Sequence, residues 1–531
     1  MGIGRTLALA GGVLLALLGA ADAADAPKRG GILKVYHRDS PASMSIHEEA
    51  TWSTIAPMSA VFNNLVIYDQ HIKQNSLATI RPELAESWAW GEDGKDLTFK
   101  LRHGVKWHDG KPFTAADVKC TWDLLLGKGT EKLRLNPRET WYLNLDSVTV
   151  NGDDEAVFHM KRPQPAFLAL LASGDSPVYP CHVPPQQMRQ HPIGTGPFKF
   201  VDYKPNQTLK LERNPDYWKP GLPYLDGIEY TIIPNRSTAV LGFIAGKFDM
   251  TFPYEITFAL MKDIKSQAPD AVCDTEPLNV AVTLAIVRKP PFDDLELRRA
   301  LALALDRQAF SDILEEGHAD ISGVMLPPPE GIWGIPVEQL RLFPGYGLDI
   351  AKSREEARAI IKKHGYGPDN PLKVKLSARN ISGYRDPGTI LIDQLKSIGI
   401  DAEMETIETA NWIPKLMRKD YTLAVSLSGS AVDDPDQIFY ESYVCKSPRN
   451  YTGYCDHDME ALVDKQSMEP DPEKRKQIVF EIEKKMAADV VRPIIYHSRA
   501  STCWQPYVKN MTQMSNSAYN SWRLEDAWLD K

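Results

Sequence analysis

Residues 84–117, LAESWAWGEDGKDLTFKLRHGVKWHDGKPFTAAD, constrain the fold more than any other stretch, because turns and alternating strands follow one another with no room for a catalytic insert. Glu92-Asp93-Gly94 is a turn signal, with Gly94 free to take positive φ. The strand after it sets Leu97, Phe99 and Leu101 on one face and Thr98, Lys100 and Arg102 on the other. Val105 and Trp107 resume the alternation, and Asp109-Gly110 makes a second tight turn. Thr114 stands at an N-cap position with Asp117 three residues on, an acidic variant of the capping box. The reading is strand, turn, strand, turn, helix: a folded module without chemistry.

At 531 residues the chain exceeds what one core usually supports, so two or three lobes are expected. Hydrophobic residues at 43% and charged ones at 25% fit a soluble globular body. A formal charge of −9, with no long basic run, excludes a nucleic-acid-binding surface. Arg5, the apolar run over residues 7–18 and the small residues Ala21-Asp22-Ala23 predict a cleavable signal peptide over residues 1–23. That run is shorter than the roughly 20 residues a spanning helix needs, and no second one exists. The first cysteine is Cys120, so no lipid-modified cysteine is expected at the mature N-terminus. The expected product is a free periplasmic protein, not membrane-spanning after cleavage.

Trp88, Trp90, Asp93, Gly94, Leu97, Phe99, Leu101, Arg102, Val105, Trp107, Asp109, Gly110, Pro112, Phe113 and Asp117 together resemble the family 5 extracytoplasmic solute-binding proteins, the peptide- and nickel-type receptors of ABC importers. The likeness continues through Ile193-Gly194-Thr195-Gly196-Pro197-Phe198, Asn214-Pro215-Asp216-Tyr217-Trp218 and Pro290-Pro291-Phe292-Asp293-Asp294. It runs on through Arg298-Arg299-Ala300, Asp306-Arg307, Gly399-Ile400, Asp434-Pro435-Asp436 and Asn450-Tyr451-Thr452-Gly453-Tyr454-Cys455. Each motif is weak alone, and their order along the chain is what carries the resemblance.

The resemblance implies an α/β, periplasmic binding protein-like fold: two lobes joined by a two-strand hinge, with an additional domain inserted in the first. The expected division is lobe I at residues 24–75, 194–285 and 499–531, the extra domain at 76–193 and lobe II at 286–498. The apolar run over residues 280–287 reads as a strand buried on both faces, and Ile494-Ile495-Tyr496-His497 is a second candidate crossing. Within lobe II, Gly365 and Gly399 end helical stripes carrying Ala357, Ile360, Ile361 and Leu391, Leu395, Ile398. Ile400, Ala402 and Met404 then alternate as a half-buried strand, and Asp471-Pro472 starts a long helix. Trp88, Trp90, Trp107 and Trp122 are expected in the core of the extra domain.

Hydrolysis needs a nucleophile with its base, or a metal with its ligands, and neither pattern is present. Ser428-Gly429-Ser430 lacks the G-x-S-x-G frame, Gly194-Thr195-Gly196 precedes a proline rather than a helix, and no HExxH occurs. Cys181-His182, and Cys455 with His457, lack the spacing of a zinc site. No catalytic residue, metal site or cofactor is therefore expected.

The best candidate for binding is the stretch over residues 426–439, SLSGSAVDDPDQIF, whose small residues Ser428, Gly429, Ser430 and Ala431 leave backbone groups open to a ligand. In peptide-binding relatives an acid three residues before the acidic-Pro pair holds the peptide's α-amine, and here that position is Ala431. The departure weakens ordinary peptide binding, since a buried ammonium without a partner is costly. Asp433 either takes over that role or is a solvated loop carboxylate, while Asp434 and Asp436 organise the following turn. The resemblance places Trp52, Tyr254 and Trp412 near the cleft, where aromatic rings supply rigid contact area, with plain packing as the competing role. Arg379 and Asn380 follow a strand and meet either a ligand's carboxylate or amide, or solvent.

Six cysteines in an exported chain raise disulfides. A bridge between Cys445 and Cys455 is implied by family members, whereas Cys120, Cys181, Cys273 and Cys503 allow three pairings that the sequence does not rank. The expected function is a monomeric periplasmic receptor that captures a small solute, peptide or peptide-like, by lobe closure and delivers it to an inner-membrane ABC permease. The alternatives are a receptor for a non-peptide solute (an opine-like conjugate, an oligosaccharide or a metal chelate), a periplasmic hydrolase, or a chaperone-like binder.

Overall fold

In the computed structural model the described residues are 1–2, 26–520 and 522–531, so the signal peptide expected over 1–23 lies, beyond its first two residues, outside them. Among the described residues three sheets of four or five strands organise the chain, beside two two-stranded pairs. The first sets the strand Ile32–His37 parallel to Gly227–Ile232, which continues antiparallel through Thr208–Arg213 to Phe198–Lys204. Its apolar cluster draws the ends of the chain together: Leu33 and Val35 pack with Trp504, Trp522 and Leu529.

The second sheet is the antiparallel module foreseen at residues 84–117, completed by strands that come later in the chain. Its order is Ala85–Trp90, Asp96–Leu101, Glu155–Met160, Leu145–Asn151. Leu97, Phe99 and Leu101 turn inward and are buried. The helix Ala115–Leu125 starts at the capping box, with the Thr114 amide donating to Asp117 Oδ2 at 3.0 Å. The Trp107 indole N–H donates to the same carboxylate oxygen at 3.3 Å, tying turn to helix. Trp107 and Trp122 are core residues, but Trp88 and Trp90 are only half-buried, because their strand lies at the sheet edge and the rings pack against the cluster from outside.

The third sheet runs Ile400–Ile407, Leu372–Arg379, Leu423–Gly429, Val272–Ile286, Ile494–Trp504. Its last two strands are the expected pair of crossings. Near the first lobe they pair from Val272 with Trp504 to Pro277 with Arg499; the ladder breaks, then resumes at Ala281 with His497. Beyond the break Ala281, Val282, Leu284, Ala285 and Ile286 are buried, as a strand covered on both faces must be. Helices Ile350–Lys363 and Ser382–Lys396 close with Gly365 and Gly399 at φ of 83° and 90°, conformations that glycine adopts without a Cβ penalty. Asp471 caps the helix Pro472–Ala488 by accepting from the amides of Glu473 and Lys474.

Disulfides join Cys445 to Cys455, Cys120 to Cys181 and Cys273 to Cys503. The last bridge sits between paired residues of the two crossing strands. No helix among the described residues is long and apolar enough to cross a membrane.

Candidate functional site

The crossing strands carry the floor of a cavity of about 160 Å³, walled from both sides. Arg38, Trp52, Arg236, Tyr254 and Glu255 line one side, and Glu315, Asp386 and Leu427, from the helices and strands around the third sheet, line the other. A smaller cavity of about 40 Å³ shares Arg38, Trp52, Val280, Leu427 and Tyr519 and adds Arg379, Tyr384, Trp412, Gly429 and Arg449.

Aromatic rings fix the first-lobe wall. Trp52 begins the short helix Trp52–Met58, and its indole N–H donates to the Pro253 carbonyl at 3.2 Å. Its ring stands edge-on to Tyr254, Tyr519 and Trp522 at centroid distances of 6.2, 5.1 and 6.2 Å. Tyr254 takes a φ of 57°, uncommon for a residue with a large side chain, and its hydroxyl donates to Met514 O at 2.8 Å. That hydroxyl anchors the ring to the C-terminal segment.

Charge is arranged in two groups. Glu255 receives two guanidiniums, Arg38 Nη1 at 3.0 Å and Arg236 Nε at 3.2 Å. Deeper in, Arg379 is 1% exposed and pairs with Asp39 across the cleft, while its Nε and Nη2 donate to Thr409 Oγ1 at 2.9 Å and Ser53 Oγ at 3.0 Å. Burial alone would raise the Asp39 carboxyl, but Arg379 and Arg38 overcome that and hold it well below the usual carboxylate range. Glu315 has no such help: burial pushes it up to about 7 against the lesser pull of Arg236 and a hydrogen bond from Ser498.

Of the residues singled out in the sequence, Trp52, Tyr254, Arg379, Trp412 and Gly429 reach the cavities. Arg379 meets neither solvent nor an open face; it is half of a buried ion pair with Asp39, on a segment far removed in sequence. Trp412 is 1% exposed, edge-on to Tyr384 at 5.5 Å, and lines the smaller cavity. Asn380 is exposed and turned away, its amide donating to Glu408 Oε1 at 2.8 Å. Ser428 is buried outside both cavities, and the Ser430 hydroxyl donates to Gln437 Oε1 at 2.7 Å.

Ala431 stands apart from both cavities. It is 0% exposed and packs in the apolar cluster of the extra domain, with its carbonyl held by Ser517 Oγ and Asn520 Nδ2, each at 2.7 Å. The chain passes that point as a packed strand exit rather than an open rim, so Ala431 lines neither cavity. Asp433 is half-buried, its carbonyl accepts from Trp333 Nε1 at 2.9 Å, and it too stands outside the cavities. Asp434 does organise the turn: it caps the helix Pro435–Ser442 and takes Arg475 through two bonds of 2.8 and 2.7 Å.

The sequence reading missed Arg38, Arg236, Glu255, Glu315 and Asp386. None of them belongs to a motif, and no spacing marks them. Groups able to hold a metal ion lie elsewhere among the described residues: Cys445, His457 and Glu460, whose cysteine is bonded to Cys455, and the part-exposed Asp294, Glu296 and His364.

Residues 79–450 match the family model of bacterial extracellular solute-binding proteins, family 5. The chain is 27% identical over 541 aligned residues to di/tripeptide-binding protein 1 of Pseudomonas aeruginosa, covering 96% of each chain. The fold is that of the oligopeptide-binding protein AppA of Bacillus subtilis, solved with a nonapeptide, at a TM-score of 0.83, 23% identity, and 95% and 100% coverage of the two chains. It is likewise that of AgaA of A. tumefaciens R10, solved with agropinic acid, at a TM-score of 0.81, 22% identity, and 94% and 99% coverage.

Proposed function

The chain belongs to the bacterial extracellular solute-binding proteins, family 5, and on that premise we propose that it captures a small peptide or peptide-like solute between its lobes for delivery to an inner-membrane ABC permease. The observation that carries this reading is the cavity of about 160 Å³ whose charged and aromatic walls come from both lobes. A solute that touches Arg38, Trp52 and Glu255 on one side and Glu315, Asp386 and Leu427 on the other makes its full set of contacts only when the lobes are together. Such a solute shifts the open-closed equilibrium, and the closed form is what a permease can distinguish from an empty receptor. In this reading lobe I comprises residues 24–75, 194–285 and 499–531, the extra domain 76–193 and lobe II 286–498. The protein acts as a periplasmic monomer, and the solute leaves it chemically unchanged.

Size narrows the substrate. Pockets for drug-sized ligands run to about 300–1,000 Å³, so cavities of about 160 and 40 Å³ favour a solute of dipeptide scale over the nonapeptide seen with AppA. AgaA, with agropinic acid, shows that the same fold holds a non-peptide conjugate.

Mass spectrometry of small molecules released by denaturing the exported protein, followed by calorimetry with each one, tests the reading. A single small solute bound tightly and recovered intact is the expected result. Recovery of cleaved products points to a hydrolase, and weak binding of long unfolded chains in place of any small solute points to a chaperone-like role; either overturns it.

A further inference from the structure

Glu315 is the acid in the cavity wall that the protein leaves incompletely satisfied. It ends the helix Arg307–Glu315 and is 6% exposed, and its Oε2 has no hydrogen-bond partner. Leu278, Val280, Leu314 and Leu427 share the wall, so the carboxylate is poorly solvated by its surroundings. The cavity's two guanidiniums are committed elsewhere, since Arg38 and Arg236 both bond to Glu255. Asp386, on the helix Ser382–Lys396, adds a second lobe II carboxylate at the exposed edge of the same cavity. Three carboxylates thus face two guanidiniums, and the excess negative charge lies on the lobe II side.

We propose that Glu315, with Asp386 at the mouth, forms a cation subsite that receives an ammonium or guanidinium group of the solute. The inference rests on the reading of this chain as a solute receptor. A ligand cation brings N–H donors to the orphaned Oε2 and cancels the unpaired charge, whereas a neutral group there leaves a buried carboxylate without a partner. In the low-dielectric wall this discriminates against neutral isosteres. The subsite lies on a different element from Ala431, so absence of an acid at that position does not leave the receptor without an anchor for an amine.

The test uses the full mature chain. Amino acids, di- and tripeptides, polyamines and amino sugars, each beside its N-acetylated or deaminated counterpart, are screened by thermal shift. Every compound that stabilises the protein is then titrated by calorimetry against wild type, Glu315→Gln and Asp386→Asn. The expected hits carry a cation, lose roughly 100-fold or more in affinity on acetylation or in Glu315→Gln, and lose less in Asp386→Asn, where solvent screens the charge. Without ligand, Glu315→Gln is expected to melt no lower than wild type, since the pull of Arg236 on the charge removed is weaker than the cost of burying it. Neutral or anionic hits only, or cationic hits that bind Glu315→Gln as tightly as wild type, overturn the subsite and leave the receptor reading standing. No hit of either kind overturns the receptor reading, and the subsite with it.

Discussion

The Arg379 guanidinium reaches across the cleft to the Asp39 carboxylate, and both groups are almost wholly buried. Thr409 and Ser53 complete the donors and acceptors around the pair. In the proposed lobe division Asp39 and Arg379 fall on opposite lobes, so the contact would belong to the closed arrangement. Removing Arg379 leaves the buried Asp39 carboxylate with only the more distant Arg38, 3.9 Å away, a loss of up to about 3–5 kcal/mol where the surroundings do not relax. Here relaxation means opening. Arg379→Ala is therefore expected to raise the radius of gyration of the ligand-free protein in small-angle scattering and to weaken solute binding, with ligand restoring the compact profile. Identical profiles for wild type and variant would mean that the pair does not hold the lobes.

The disulfide Cys273–Cys503 joins the two crossing strands, and Cys445–Cys455 closes a local loop; their sequence separations are 230 and 10 residues. In the chain-entropy model the long loop contributes about 5 kcal/mol and the short one about 3 kcal/mol. Replacing both cysteines of a pair by serine should lower the melting temperature more for 273 and 503 than for 445 and 455. Peptide mapping without reduction, on the exported protein, checks that each bridge is formed before the comparison is made. A larger loss from the short loop would show that native contacts, not the unfolded chain, set the stabilisation.

Glu483 supplies a pH dependence. It is 3% exposed on the helix Pro472–Ala488, accepts from the amides of Val324 and Met325 at 3.2 Å each, and is pushed by burial up to about 8 from 4.5. A carboxyl with a raised folded-state pKa binds its proton more tightly in the native protein. Its contribution is therefore fully present below about pH 4.5 and is lost as pH rises toward 8. Between pH 5 and 8 the stability of Glu483→Gln, measured by urea unfolding, should rise relative to wild type by a few kcal/mol, since each tenfold difference in proton affinity between the folded and unfolded chain is worth about 1.4 kcal/mol. A constant gap across that range would place the proton elsewhere.

Much of the fold is legible in the sequence because it is written in local periodicities. The alternation of Leu97, Phe99 and Leu101, the Thr114–Asp117 box, the caps at Asp471 and Gly399 and the nearly continuous apolar run at 280–287 all depend on neighbours within a few residues. The site is legible only in part. Trp52, Tyr254 and Trp412 follow from the family resemblance, Arg379 and Gly429 from their places at strand ends, and the structure gathers all five at the cavities. Arg38, Glu255, Glu315 and Asp386 lie on separate segments, and nothing in a local pattern tells a buried acid facing a cavity from one facing water. Ala431 shows the same limit: a position counted from Asp434-Pro435 fixes where a residue falls along the chain, but not which apolar cluster its side chain enters.

The packing of Ala431 yields a sharp expectation. An acid at position 431 would be fully buried in the apolar cluster that also holds Val432 and Leu171. Ala431→Asp should destabilise the fold by at least about 2 kcal/mol, the lower range for a polar group buried without compensation. It should not improve the binding of amines over their N-acetylated forms. Urea unfolding and calorimetry on the same preparation decide the point, with Asp433→Asn as the companion variant; because Asp433 stands outside the cavities, it should leave amine affinity unchanged. An Ala431→Asp protein as stable as wild type, with a new preference for free amines, would move the amine anchor back to that position and away from Glu315.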